Sequence, residues 1–295
     1  MRIAVVGLGG VGGYIAANLA KTSHTIVGFA RGEHLSAIQE QGLKVVEETA
    51  SWHVEIDARA LEKAEGYFDV VLFCVKSYDL QESYRAISGH VDSKSILLCF
   101  SNGVSHGDEL RVLSQSKVLD GCVYILSHIE KPGVIRKKGK VFSAVFGGLE
   151  KEAQLLKSVF EEAGLRTKTP EDIQTAIWRK YIFIAAFATL TSYYDKSIGY
   201  VCEHYFNEAK EVLGEVASLA YAKGLDIFDE VLKSLEIAKN LPYDASTSMH
   251  LDFVNKKRDE LETLSGYIVR EAQKLDVKVP IMQKVYKELL TKHKA

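Results

Sequence analysis

Proline and cysteine are scarce in this chain, four of each among 295 residues. With so little proline and no low-complexity tract, a fibrous or disordered polymer is excluded. The cysteines, Cys74, Cys99, Cys122 and Cys202, form no C-x-x-C pair, which argues against a zinc site or a disulfide framework. Cys74 and Cys99 lie in apolar runs and read as small buried hydrophobes. Charge of one sign is also lacking: the formal net charge is −2, and without a basic stripe nucleic acid is not an expected partner. Lys137, Lys138 and Lys140 make one short basic cluster, expected on a solvated hairpin. The longest apolar stretch, Tyr181 to Leu190, falls far short of the roughly 20 residues that span a bilayer, so no membrane partner is expected either. Met1-Arg2-Ile3-Ala4-Val5-Val6 reads as the start of a strand, not a leader. The expected setting is reducing and cytoplasmic.

What is present is an alternation of two periodicities. Ile3–Val6 is a short all-apolar run, suited to a strand buried on both faces. Val11, Ile15 and Leu19 then repeat at four-residue spacing, a helical stripe. Strands are predicted at Thr25–Phe29, Val70–Val75 and Ser95–Phe100, with a helix at Leu35–Gln41 closed by Gly42. Such alternation implies a parallel sheet with right-handed crossovers. Between residues 118 and 148 the pattern predicts shorter strands and turns at Val118, Tyr124–Ser127, Gly133–Arg136 and Lys140–Gly148, with Pro132-Gly133 marking a turn. A helix at Leu149–Ala163 and a short strand at Arg166–Thr169 follow. In Thr169-Pro170-Glu171-Asp172, threonine suits an N-cap, proline the first helical position, and the acids the positive helix end. From there the signal is almost wholly helical. The expected architecture is α/β: a doubly wound N-terminal domain over residues 1–168 and an all-α C-terminal domain over 169–295.

Gly7-Leu8-Gly9-Gly10-Val11-Gly12 matches G-x-G-x-x-G directly after the first strand and opens a helix, the context that gives this motif its meaning. The first glycine permits a tight turn, the second lets backbone approach a pyrophosphate, and the third lets helix pack on strand. The helix N-terminus offers unpaired N–H donors to the anion. The N-terminal domain is therefore expected to be a Rossmann-type dinucleotide-binding domain. An NAD-binding chain would carry Asp or Glu at the end of the second strand. Here Thr25–Ala30 ends in Arg31, whose guanidinium suits a 2′-phosphate, so NADP(H) is expected, with nearby Glu33 keeping NAD as an alternative.

Lys180 lies in an oily helical segment. Its neighbours three and four residues away are Ala176, Ile177, Phe183 and Ile184, with Phe187 and Ala188 beyond. An ammonium on such a stripe must reach water, pair with an acid, or give up its proton more easily. The last property suits a general acid, and a ketone reduced by hydride needs one at its oxygen.

Taken in order, the Gly7–Gly12 loop, Arg31, Phe73-Cys74-Val75-Lys76, Ser101-Asn102-Gly103-Val104, Trp178-Arg179-Lys180, Ser248-Met249 and Asp259-Glu260-Leu261-Glu262 resemble the ketopantoate reductase (2-dehydropantoate 2-reductase) family over essentially the whole chain. The resemblance implies NADPH-dependent reduction of ketopantoate to pantoate, a step toward pantothenate and coenzyme A. It implies that Lys76 lies near the nicotinamide end of the cofactor and that Asn102 contacts cofactor and substrate. Lys180 would be the general acid, Glu260 an acidic partner at the reacting oxygen, and Ser248 a ligand for the substrate carboxylate. The active site would lie in the cleft between the domains. Pattern alone reads three of these otherwise: Glu260 as part of a solvated charged face, Ser248 as an N-cap, and Asn102 as a turn residue of an Asn-Gly pair.

Two departures from the family pattern bear on the substrate. Members commonly carry asparagines four and eight residues after the lysine, where this chain has Ile184 and Ala188. The R-P-T-E run before the glutamate is here Lys257-Arg258-Asp259-Glu260. An apolar wall cannot hydrogen-bond a substrate hydroxyl, and Thr189 and Thr191 point elsewhere on the helix. The alternative reading is a reductase of a more apolar 2-oxo acid. A non-catalytic NADP(H)-binding sensor is the alternative of another class. The apolar C-terminal helices allow a homodimer, although their stripes equally fit an intradomain core.

Overall fold

The computed structural model describes residues 1–293. The chain divides into two compact units. Unit 1 comprises Met1–Ser101 and Ser105–Ile173, while unit 2 comprises Asn102–Val104 and the chain from Gln174 onward.

Unit 1 is built on one sheet. Its strands are β1 (Arg2–Val6), β2 (Thr25–Phe29), β3 (Leu43–Val46), β4 (Ser51–Val54), β5 (Asp57–Arg59), β6 (Val70–Phe73), β7 (Ile96–Cys99), β8 (Lys117–Lys131), β9 (Val134–Gly147) and β10 (Thr167–Lys168). They run in the order β4-β3-β9-β8-β7-β6-β1-β2-β5, with β10 beside β9. From β8 to β5 every pairing is parallel. Helices α1 (Gly10–Leu19), α2 (Gly32–Gln41), α3 (Leu80–Ile87), α4 (His106–Leu113) and α5 (Glu150–Glu162) belong to the same unit.

The apolar runs have their expected cause. Side chains alternate along a strand, so Ile3 and Val5 of β1 join the core that holds Ile15, Leu19 and Phe160. Ala4 and Val6 join the opposite core, with Leu80, Ile87 and Leu110. A strand covered on both faces has no position left for a polar residue. Gly42 closes α2 at φ +71, where a side chain would be strained.

Several elements differ from expectation. The short strands predicted between 118 and 148 are two long ones: β8 and β9 form an antiparallel ribbon with register shifts at Ile125/Leu126 and Ile129/Lys131. Those irregularities break the two-residue alternation, so a single ribbon reads as fragments. Lys137 is not solvated. Its side chain is 5% exposed and its Nζ donates to the Gly139 carbonyl at 2.8 Å, 3.4 Å from Glu47, while Lys138 and Lys140 are exposed. Strands β3, β4 and β5 lie outside the sequence expectations. The helix predicted to start near Pro170 begins at Ile173. The chain is still extended at β10, and Thr169 Oγ1 accepts from Gln154 Nε2 at 3.3 Å instead of capping a helix.

Unit 2 is helical: α6 (Ile173–Tyr194), α7 (Ile198–His204), α8 (Phe206–Ala222), α9 (Asp229–Asn240), α10 (Ser248–Val254), a π-helical turn (Glu262–Gly266), α11 (Tyr267–Lys274) and α12 (Pro280–His293). Its core packs α6 residues Ile182, Ala185 and Phe187 against Val212 and Val216 of α8, Leu264 of the π turn and Met282 of α12. Among the described residues, no helix is long and apolar enough to cross a membrane.

Candidate active site

The glycine loop joins β1 to α1. Gly7 adopts φ +94, and a Cβ there would stand 2.9 Å from the Cys74 carbonyl oxygen, so only glycine fits. A Cβ on Gly12 would collide with the Gly7 carbonyl. Gly9 differs: nothing lies within 4 Å of where its Cβ would be. The space beside that backbone is open, and the helix that follows has no side-chain cap on its first N–H groups. Anion-accepting donors beside unfilled space are what a dinucleotide pyrophosphate requires.

The loop is held from two sides. Gly7 and Leu8 N–H groups both donate to the Phe29 carbonyl, at 3.0 and 3.1 Å. His34 Nε2 lies 2.8 Å from the Leu8 carbonyl, and His34 Nδ1 accepts the Gly133 N–H at 3.1 Å. A backbone N–H only donates, so Nε2 carries the ring hydrogen. Burial holds the His34 imidazole below its usual range, against the opposing pull of the Leu8 carbonyl. Leu8 itself is buried, and Val11 packs against the same core, so their side chains serve packing.

Arg31 follows β2 as expected. Its side chain is 89% exposed, with Asp79 Oδ2 at 3.3 Å, and Glu33 lies in the first turn of α2. Lys76 is half-buried and follows β6, opening a 3-10 turn at Ser77–Asp79. Ser101 Oγ donates to the Val75 carbonyl at 2.5 Å, which ties the chain leaving β7 to the chain leaving β6. The Gly7–Gly12 loop, Arg31 and Lys76 thus gather at the carboxyl ends of adjacent parallel strands, where doubly wound sheets bind ligands.

In unit 2 the central fact is a hydrogen bond. Lys180 Nζ donates to Asn102 Oδ1 at 3.0 Å, joining two residues that lie far apart in sequence. Lys180 is half-buried, as are Phe183 and Ile184 on its helical face, while Ile177 and Phe187 are buried. Neighbouring Arg179 pairs with Asp229 at 2.9 Å and with Glu230. Ala188 is buried. Thr189 and Thr191 are fully buried, with their hydroxyls on the Ala185 and Phe187 carbonyls at 2.7 and 2.6 Å.

Helix α6 also fixes the segment that carries Glu260. Tyr181 hydroxyl, raised far above its usual pKa by burial, donates to the Thr263 and Leu264 carbonyls at 2.9 and 3.0 Å. Thr189 Oγ1 lies 2.6 Å from Ser265 Oγ. The Glu260 carbonyl accepts the Thr263 and Leu264 N–H groups at 3.0 and 2.9 Å. Glu260 is 3% exposed, so the solvated-face reading of this charged run fails at its last member: Lys256, Lys257 and Arg258 are exposed, and Glu260 turns inward. Ser248 is exposed at the first position of α10. The N-cap is Thr247, not Ser248, and its Oγ1 accepts the His250 N–H at 3.2 Å. The roles of His34 and Tyr181 carried no local signal in the sequence. Among the described residues, no cluster of potential metal ligands occurs.

Unit 2 thus holds an ammonium bonded to an amide, a buried carboxyl group and an exposed hydroxyl, and unit 1 a glycine loop beside open space, groups of the kind that carbonyl reduction with a dinucleotide uses. The family model described as Ketopantoate reductase PanE/ApbA matches residues 3–151, and that of its C terminal region matches residues 172–293. An uncharacterized oxidoreductase of Bacillus subtilis is 27% identical over 98% of both chains. The crystal structure of 2-dehydropantoate 2-reductase from Porphyromonas gingivalis W83 is similar at TM-score 0.84 and 32% identity, covering 98% of this chain and 99% of that one. D-mandelate dehydrogenase, solved with NADH and anilino(oxo)acetate, shares the fold at TM-score 0.91 and 19% identity, covering 100% of this chain and 99% of that one.

Proposed function

Because the chain belongs to the ketopantoate reductase family of NAD(P)H-dependent oxidoreductases, we propose that it reduces the 2-oxo group of a small 2-oxo acid with NADPH, ketopantoate being the first candidate. The observation that carries this reading is the 3.0 Å bond from Lys180 Nζ to Asn102 Oδ1. It points the ammonium through a neutral acceptor, since an amide oxygen accepts a hydrogen bond and takes no proton.

The Gly7, Leu8, Gly9, Gly10, Val11 and Gly12 backbone, Arg31, Lys76 and Asn102 hold the cofactor, with Arg31 selecting the 2′-phosphate. Bound NADPH supplies the hydride. Lys180 delivers the proton to the carbonyl oxygen, and Glu260 orients the reacting group from its buried position. Ser248 and Asn102 anchor the substrate. Unit 1, expected as residues 1–168, acts as the NADP domain, and unit 2, expected as 169–295 and also holding Asn102–Val104, as the substrate domain.

Ile184 and Ala188 favour a second reading, a more apolar 2-oxo acid. The face beyond Lys180 presents a half-buried isoleucine where a substrate hydroxyl would need a partner. Leaving that hydroxyl unpaired costs about 1–3 kcal/mol, roughly 5- to 150-fold in kcat/KM. Steady-state oxidation of NADPH, with NADH in parallel, on ketopantoate and 2-oxoisovalerate tests both readings. A ratio clearly favouring ketopantoate overturns the apolar one. Lys180→Ala lowers kcat by roughly 10²- to 10⁴-fold on either substrate, and turnover within a few-fold of wild type overturns the general-acid role.

A further inference from the structure

The far end of α6 is bonded twice to the segment that opens α10. Thr191 Oγ1 lies 3.0 Å from Thr247 Oγ1. One turn on, just past the helix, Asp195 Oδ1 lies 2.9 Å from His250 Nε2. The His250 ring is largely buried, and its other nitrogen, Nδ1, lies 2.7 Å from Ser246 Oγ. An acceptor carboxylate on one side requires Nε2–H, and Nδ1 meets the Ser246 hydroxyl on the other. Asp195 reaches the ring from φ +53, a left-handed conformation uncommon for a residue with a side chain. Ser246, Thr247 and His250 are thereby pinned to one another and to α6. Ser248 sits in their midst, exposed.

We infer that Asp195 and His250 are positioning residues for substrate anchoring: through the Asp195–His250 bond they lock the turn presenting Ser248 to the helix that carries Lys180, and so fix the carboxylate anchor relative to the proton donor. The inference rests on the reading of Ser248 as the carboxylate ligand. Rigid links of this kind keep binding groups in register for the reacting atoms. A loosened turn weakens the grip on the substrate and leaves the proton donor in place.

A double-mutant cycle in the full-length protein separates this role from simple bracing. Asp195→Ala, Ser248→Ala and the double variant are assayed with NADPH on ketopantoate and on 2-oxoisovalerate, with analysis on whichever gives the higher kcat/KM. Asp195 is 71% exposed, so its truncation leaves the core intact. Asp195→Ala raises KM about fivefold, the effect of one hydrogen bond, with kcat and NADPH affinity unchanged. In the Ser248→Ala background it adds less than about twofold, because coupled residues are not additive. Asp195→Asn, which keeps an acceptor oxygen, restores KM. An unchanged KM in Asp195→Ala, or the same fivefold rise in both backgrounds, overturns the inference and leaves the Ser248 reading standing. A Ser248→Ala variant with wild-type KM overturns the anchor reading and the inference together, as does absence of turnover on both acids.

Discussion

Replacing Tyr181 by phenylalanine removes one hydroxyl and leaves the ring. That hydroxyl is buried and shared between the Thr263 and Leu264 carbonyls at 2.9 and 3.0 Å. The ring contacts are kept: Trp178 and Tyr267 stand edge-on at 5.4 and 6.1 Å. The perturbation is therefore the loss of one donor beneath the π-helical turn, and losing a buried hydrogen bond costs about 1–3 kcal/mol. At roughly 2–4 °C per kcal/mol for a chain of this size, the melting temperature falls by about 2–12 °C. The expected catalytic consequence is a several-fold loss of kcat, because the π turn follows Glu260 directly. Tyr193→Phe is the control, since its hydroxyl bonds an exposed Glu288 carboxylate at 2.8 Å and its loss stays within about 0.5 kcal/mol. Thermal unfolding by circular dichroism and steady-state kinetics read both effects. A Tyr181→Phe variant no less stable than Tyr193→Phe would refute the claim that α6 holds the Glu260 segment in place.

Two glycines of one loop respond differently to alanine. Gly9→Ala meets open space, so its melting temperature stays at the wild-type value while NADPH affinity, measured by fluorescence titration, falls at least about tenfold by blocking the close approach. Gly12→Ala collides with the Gly7 carbonyl and destabilises the fold itself; equal stability of the two variants contradicts the assignment of the space beside Gly9. His34 gives a pH dependence. Burial lowers its folded pKa, so the unfolded chain binds more protons below the ordinary histidine value of about 6.5. The stability from keeping His34 neutral is fully present above that value and is lost as the pH falls through the lowered one. Urea midpoints compared at about pH 7.5 and about pH 5.5 decline more in wild type than in His34→Gln, and parallel declines dismiss His34 as the source.

Legibility in the sequence followed the range of the physics. The β1 run and the glycine loop are local, so six residues carry both the turn and its purpose. Lys180 stood out because an ammonium on an apolar stripe contradicts its surroundings, and the structure supplies the resolution as an amide oxygen on a distant loop. Glu260 carried no such contradiction. Its burial is decided by bonds that Tyr181 and Thr189 make to the turn after it, about 80 positions away in sequence, and only the family resemblance selected it. The ribbon of β8 and β9 was obscured where its register slips and where apolar Tyr124, Leu126 and Ile129 face outward while Lys137 lies within. Strand β4 does alternate, with exposed Ser51 and His53 between half-buried Trp52 and Val54, but four residues are too short a run to separate from the surrounding polar segment. The Thr169-Pro170 start signal was locally sound, but β10 pairs with β9 up to Lys168, the Thr169 hydroxyl is taken by Gln154, and the helix opens only at Ile173.

The assignment of Asn102–Val104 to the helical unit means that the polypeptide passes from one unit to the other three times, at 101/102, 104/105 and 173/174. The helical unit therefore cannot be cut out as one continuous piece. A fragment starting at Gln174 would possess the lysine and lack the amide that aims it. Moving these helices to a different scaffold would lose the same hydrogen bond unless the three-residue excursion travelled with them.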